Sequence, residues 1–341
     1  MSAAEETRAD SMPAPRFSTR RIGHANLFVN DLDRSYEFYN HVCGFEGIGF
    51  ERSLPAGFLS NGNSHHDFGL VQADGSPRIG KDGKKQNVDN YHGRAGLNHI
   101  GWETVNQAQL VAAYRRGVDW GINFKMSVFH GGSHALYLYD PDGILHEFYA
   151  DARRDWRTIF HGPVDLGLVT SQWDPDAEEN PSEARNWDPA PDWQHQEGGL
   201  VRALRAGRTV FHVSSLDAVM PFYTEIGGFE LCYAAPDNSY AYLRGLAAQS
   251  AYDIALIRND GDKPLGYHHV ACEIADEATL EESRDNLAAA GIETAFEVDD
   301  ARKRSFFLED PDRLLVEFYV ERTADYAALA AVDAERRAFF A

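Results

Sequence analysis

Hydrophobic positions along this chain fall into four similar runs, each opening with a strand-like alternation and passing into a helix-like one. "IGHANLFVNDLDRSYEFYNHVCGFE", from Ile22, and "TVFHVSSLDAVMPFYTEIGGFE", from Thr209, both read as strand, short polar turn and amphipathic helix ending in Phe-Tyr, then Gly-Phe-Glu. Asp31 and Ser215 are placed to cap these helices, and Gly44 and Gly228 to stop them. "GLNHIGWETVN", from Gly96, and "GYHHVACEIAD", from Gly266, open a second pair of units, with predicted helices over about 107–116 and 279–289. Each second unit closes on an Asp-Pro-Asp turn between alternating apolar runs, at 136–149 and 306–319, which is a hairpin signal.

The chain is thus predicted to be a duplication of a duplication, an α+β fold of four βαβββ modules beginning near residues 20, 96, 208 and 265. Residues 1–19 read as a flexible arm, 20–150 as an N-terminal two-module domain, 151–206 as an acidic linker, 207–321 as a C-terminal two-module domain, and 322–341 as a closing helix. The linker holds Trp156, Trp173, Trp187 and Trp193, so it is expected to pack against a domain face, a pocket mouth or a neighbouring subunit.

Composition narrows the functional classes. A net charge of −21 over 341 residues argues against nucleic acid or an anionic membrane as partner. Cys43, Cys232 and Cys272 are too scattered for a disulfide framework or a thiolate zinc site and are expected to be reduced thiols of a cytoplasmic protein. Residues 1–18 lack the apolar core of a signal peptide, and no run approaches the ~20 apolar residues of a membrane span.

The candidate chemistry lies in residues repeated between the halves. The first strands carry His24 and His212, the second-unit strands His99 and His269, and the closing hairpins Glu147 and Glu317. The last two members are 48 residues apart in both halves. Two histidines and one carboxylate on neighbouring strands are the ligand set of a non-haem Fe(II) centre with open positions; Mn(II) fits as well, zinc less well.

With these ligands the four-module layout resembles the vicinal-oxygen-chelate superfamily, in particular the type I extradiol ring-cleavage dioxygenases, over nearly all of residues 20–321. The stretch "VFHGGSHALYLYDPDGILHE" carries the family's signature order: His130, Leu136-Tyr137, Asp140-Pro141, Gly143 and the ligand Glu147. The resemblance implies two open-barrel domains, a catechol-type aromatic substrate, O₂ as co-substrate, and His130 and Tyr137 beside the metal. The family's acid–base histidine, found in a His-His or His-Asp context, carries over to His66 in "NSHHDFGLV". In the second half His66 faces Tyr252, Tyr137 faces Phe307 and His130 faces Asp300. The N-terminal half is therefore predicted to be catalytic, whereas the family more usually works with its C-terminal half. His212, His269 and Glu317 are then a second or vestigial site. A homo-oligomer is expected.

Three rival readings remain: a glyoxalase-like isomerase, a hydroxyphenylpyruvate-type dioxygenase, and a non-catalytic aromatic-binding protein. Strand alternation predicts that His65 and His146 point to the face opposite the site, and it makes His268 the weaker partner of His269. His92, His134, His161 and His195 are expected to be solvent-exposed, as is the basic run "KDGKKQ" at 81–86.

Overall fold

Strand β1 (Thr19–Val29) turns Ala25, Leu27 and Val29 into the core and His24, Asn26 and Phe28 to its other face, so one strand serves both packing and chemistry. In the computed structural model, which describes residues 14–51, 55–74, 78–79, 85–86, 93–154, 171–187, 192–261 and 263–341, this strand leads into α1 (Leu32–Glu37). Asp31 caps that helix, its Oδ1 accepting from the Arg34 N–H at 3.0 Å. Strands β2 (Gly47–Glu51), β3 (Ala56–Leu59) and β4 (Phe68–Gln72) complete the unit, and β5 (Arg78–Ile79) and β6 (Lys85–Gln86) form a separate small ladder. The second unit is β7 (Gly96–Thr104), α2 (Gln107–Trp120), β8 (Met126–Phe129), β9 (Ser133–Tyr139) and β10 (Leu145–Asp151), with β11 (Ser171–Gln172) added at the edge of β8.

The second half repeats the plan. Its first unit is β12 (Ala203–Val213), α3 (Leu216–Pro221), β13 (Glu230–Ala234), β14 (Tyr240–Arg244) and β15 (Ile254–Arg258). Its second is β16 (Gly266–Ile274), α4 (Glu277–Ala289), β17 (Phe296–Asp299), β18 (Lys303–Glu309) and β19 (Leu315–Glu321). The first sheet runs β11-β8-β9-β10-β7-β1-β4-β3-β2, and the second, read from its far edge, runs β17-β18-β19-β16-β12-β15-β14-β13. Apart from β11 the orders are equivalent. In every unit the first and last strands pair in parallel, and the two units of a half join antiparallel through β1 and β7 or through β12 and β16.

The halves pack face to face through reciprocal contacts. Asp67 Oδ1 accepts from the Ala206 N–H at 2.9 Å, and Asp253 Oδ1 from the Ile22 N–H at 3.0 Å. Tyr223 donates to Asp140 at 2.9 Å, and Tyr39 to Asp310 at 3.3 Å. Gly44 and Gly228, both in the left-handed region, lie under the Val201 and Phe17 carbonyls, where any side chain would collide with backbone. One core cluster spans both halves, from Phe45 and Trp102 to Phe211 and Phe229.

Two expectations about the ends change, while the linker packs on a domain face as expected. Residues 14–18 are not a free arm: the Arg16 and Phe17 N–H groups donate to the Glu225 and Ile226 carbonyls, and the Phe17 ring stacks on Phe148 at 4.1 Å. Burying that phenyl ring ties the chain down. The tail is not one helix but two 3₁₀ turns, Tyr326–Ala331 and Ala334–Arg336, followed by α5 (Arg337–Phe340). Asp325 and Asp333 each capture a backbone N–H and restart the chain. Within the linker, Trp173 is buried and donates to Glu178 at 2.7 Å, and the Arg20 guanidinium lies 3.5 Å from the centre of the Trp187 ring, so this segment packs on the first half. Trp156, His92 and His161 lie outside the described residues, as does most of the 81–86 run. Among the described residues no helix is long and apolar enough to cross a membrane.

Candidate metal centre

A glycine makes the site. His24 on β1 and Glu147 on β10 each stand opposite Gly101 of the intervening strand β7, and His99 lies two residues earlier on the same face of β7. A Cβ at Gly101 would collide with the His24 ring, so the missing side chain lets that imidazole lie across β7. His24 Nε2, His99 Nε2 and Glu147 Oε2 thereby form a triangle with sides of 3.3, 2.9 and 2.9 Å. All three residues are buried.

The triangle fits one small divalent cation. Three donors at right angles, each about 2.1 Å from a common ion, stand about 3.0 Å apart. Protonation fits as well. Burial lowers the His24 imidazole to about 4, so it is neutral at pH 7. Burial alone would raise the Glu147 carboxyl, but His24 and His99 outweigh it and hold the group well below its ordinary value. A buried carboxylate beside the neutral His24 imidazole is a protonation state that suits a metal ion. The donor set of two imidazoles and one carboxylate, without thiolate, suits Fe(II) or Mn(II).

Around the triad the structure gathers both candidate catalytic histidines, His66 and His130, and the candidate tyrosine, Tyr137. The His66 ring stacks on His24 with centroids 4.0 Å apart, its buried Nε2 has no hydrogen-bond partner, and burial pushes its basicity well down. His130 Nε2 is hydrogen-bonded to the Tyr137 hydroxyl at 2.9 Å and lies 3.7 Å from Glu147 Oε1. Tyr137 stands directly across the β9–β10 pair from Glu147, and burial, reinforced by that carboxylate, pushes its phenol well above the ordinary value.

His65 does not point to the opposite face. Residues 61–66 precede β4 as a series of bends, so the two-residue strand alternation does not apply to them. The His65 ring lies 4.7 Å from His66 and 5.5 Å from His24, and its Nδ1 bonds Asp151 Oδ1 at 2.8 Å. Burial would depress this imidazole, but Asp151 raises it overall. His65 and Asp151 were missed from the sequence; the available signal was the polar run Ser60 to Ser64, which argues against a strand there. His146 does turn away, into the shared core, where its Nδ1 accepts from the Trp102 indole at 2.9 Å. His195 is exposed, but His134 is not: it packs between Phe129 and Trp173.

The second half brings together only two of its three predicted ligands. His269 Nε2 lies 3.2 Å from Glu317 Oε2, while His212 stays apart, both ring nitrogens without partners. The strand register explains this. Just as His24 and Glu147 share Gly101, Arg208 and Glu317 share Ala271, so the counterpart of His24 is Arg208 and not His212. The Lys303 ammonium lies 2.5 Å from Glu317 Oε1, next to where an ion would sit. His268 leans against Phe339 at 4.7 Å between ring centres.

Known proteins share the fold that carries these residues. The family model for the glyoxalase/bleomycin resistance protein/dioxygenase superfamily matches residues 21–148 and 205–318. The chain is 26% identical over 311 residues to a catechol-2,3-dioxygenase of Bacillus subtilis (strain 168), covering 85% of this chain and 93% of that protein. Among solved structures it resembles the 2,3-dioxygenase LapB from Pseudomonas sp. KL28, with TM-score 0.62, 17% identity and coverage of 93% of this chain and 96% of the other. It is also similar to a Mn(II)-bound glyoxalase from Novosphingobium aromaticivorans, with TM-score 0.61, 17% identity and coverage of 91% and 85%. At such identities these structures speak to the fold.

Proposed function

This chain belongs to the glyoxalase/bleomycin resistance protein/dioxygenase superfamily, and we propose that its first half is an extradiol dioxygenase that opens the ring of a catechol-type substrate beside the diol, using O₂. His24, His99 and Glu147 hold a divalent metal, Fe(II) in this reading, on the face of a sheet that curls into an open barrel. When bound, the iron supplies the Lewis-acidic, redox-active centre at which diol and O₂ meet.

The observation that carries the reading is the set of groups around the triad. His66, neutral and with a free Nε2, is the base that takes a substrate hydroxyl proton and returns it as the ring opens. Tyr137 stays protonated and, with His130, offers hydrogen bonds to oxygens on which negative charge develops. His66 and Tyr137 are buried away from bulk water, so their bonds act in a low dielectric. A glyoxalase-like isomerase would use the same triad with a carboxylate base and would not need His66, His130 and Tyr137 together.

The test is oxygen uptake with catechol after Fe(II) is added under anaerobic conditions. Uptake with a yellow ring-opened product is the expected result, and reconstitution with Mn(II) in parallel decides the metal. A spectral shift without oxygen consumption would make the protein a binder; isomerisation of a hemithioacetal to a thioester without uptake would make it glyoxalase-like.

A further inference from the structure

The register that aligns Arg208 with His24 leaves a small pocket in the second half, open to solvent along a rim of Thr323, Ala324 and Asp325. It lies among β12, β14, β18 and the tail, lined in part by Arg208, Tyr242, Tyr252, Arg302 and Lys303. Its walls also carry Glu321 and Asp325, which accept from the Ala251 and Ala328 N–H groups, but several of its hydrogen-bond donors have no partner. Arg208 is 2% exposed, yet its Nε and Nη2 have no partner, and neither has the hydroxyl of Tyr252, which is 4% exposed. Arg302 spends Nε and Nη2 on Asp300 and leaves Nη1 unpaired. Lys303 is already satisfied, by Glu317 and by the Ala341 carbonyl oxygen.

From these donors we propose that the second half binds one small monovalent anion, of chloride size, between Arg208, Tyr252 and Arg302. Two physical facts select an anion. First, Arg208 is a buried cation whose neighbours are ring faces: its guanidinium carbon lies 3.7 Å from the Tyr319 ring centre and 4.6 Å from that of Tyr252. Glu317 and Glu321 contribute to its field, but neither makes an ion pair with it, Glu317 being engaged by Lys303 and Glu321 accepting from the Ala251 N–H. An unpaired buried charge is unfavourable, and a bound counter-ion relieves it. Second, the unpartnered groups that line the pocket are all able to donate: Arg208 Nε and Nη2, the Tyr252 hydroxyl and Arg302 Nη1. A water brings donors of its own, whereas an anion accepts from all of them. The open space is about 20 Å³, enough for one particle of water or chloride size.

Crystals soaked in bromide should show one anomalous peak within hydrogen-bond distance of Arg208 and Tyr252. In solution, chloride should raise the melting temperature above that in gluconate, a larger anion, at equal ionic strength. Tyr252→Phe, which removes one donor and keeps the ring, should weaken chloride binding about tenfold. Arg208→Gln should abolish it if that variant folds, and Tyr252→Phe decides the matter if it does not. No anomalous peak, a water in its place, or a chloride effect unchanged in Tyr252→Phe would overturn the assignment.

Discussion

The two halves share a strand order, a core and a pair of Asp-Pro-Asp hairpins, yet their chemistry parts at a few positions of the common sheet. In the first, His24 lies across Gly101 and completes a triangle with His99 and Glu147. In the second, Arg208 takes the place of His24 and Lys303 approaches the glutamate. A site built to hold a divalent cation has thus become one that carries its own cations. Burial lowers Lys303 to about 8 despite the pull of Glu317, so the ammonium is still charged at pH 7 and serves the carboxylate as a metal ion would. Duplication preserved the scaffold, and a few side chains decide which half can take a metal.

The sharpest way to break this comparison is to remove ligands from each half in turn. His24→Ala or Glu147→Ala should release the metal and abolish oxygen uptake, while His212→Ala should leave both unchanged. Metal analysis per chain with oxygen-electrode rates checks this. Loss of metal on mutating His212 would restore the histidine register that the strand pairing rejects.

A smaller effect separates chemistry from metal binding. His66→Ala should cut turnover about 10²–10⁴-fold, the usual worth of a positioned acid–base group, with metal content intact. Loss of metal together with activity would make His66 a structural support of the stacked His24 ring.

How much of this was legible depends on the residue. The four modules could be read because Gly-Phe-Glu and Asp-Pro-Asp punctuate them, and His99 and Glu147 because the same 48-residue interval recurs in His269 and Glu317. The counterpart of His24 was misplaced because a histidine, His212, happens to stand in the same strand. Phe17 and Val201, Tyr39 and Tyr223, and Gly44 and Gly228 are each 184 residues apart, and the same step from His24 lands on Arg208. Matching residue type overrode matching register, although only register fixes where a side chain points. His65 failed for a related reason: alternation was applied to residues that are not in a strand. Gly101, which admits the His24 ring, gave no signal, since its role is to leave space for a neighbour distant in sequence.

The comparison can be sharpened by conversion. Arg208→His combined with Lys303→Ser, the residue at the matching position of the first half, should raise bound metal from one to two ions per chain. Arg208→His alone should not, because the ammonium would still compete for Glu317. If the double variant stays at one ion, further differences between the halves, such as Ala271 in place of Gly101, must also exclude metal. That outcome would move the explanation from charge to space.

The smallest expected effect tests a feature that the halves hold in common. Asp67 and Asp253 each accept a backbone N–H from the other half. Burial raises Asp67 to about 6, against the opposing pull of its bonds to the Ala206 and Asn61 N–H groups. An acid whose folded value exceeds its unfolded one binds protons more tightly in the native state. Its contribution to stability is therefore fully present below pH ~4 and is lost as pH rises through 6. A shift of about two units corresponds to at most about 3 kcal/mol. Urea unfolding between pH 4 and 7 should show this decline in the wild type and a flatter curve in Asp67→Asn. The variant should also be less stable at low pH, since an amide cannot accept from both N–H groups at once. Burial likewise raises Asp253, so Asp253→Asn should flatten the curve in the same sense. A variant curve parallel to the wild type would mean that Asp67 stays ionised between the halves, its charge met by the backbone donors alone.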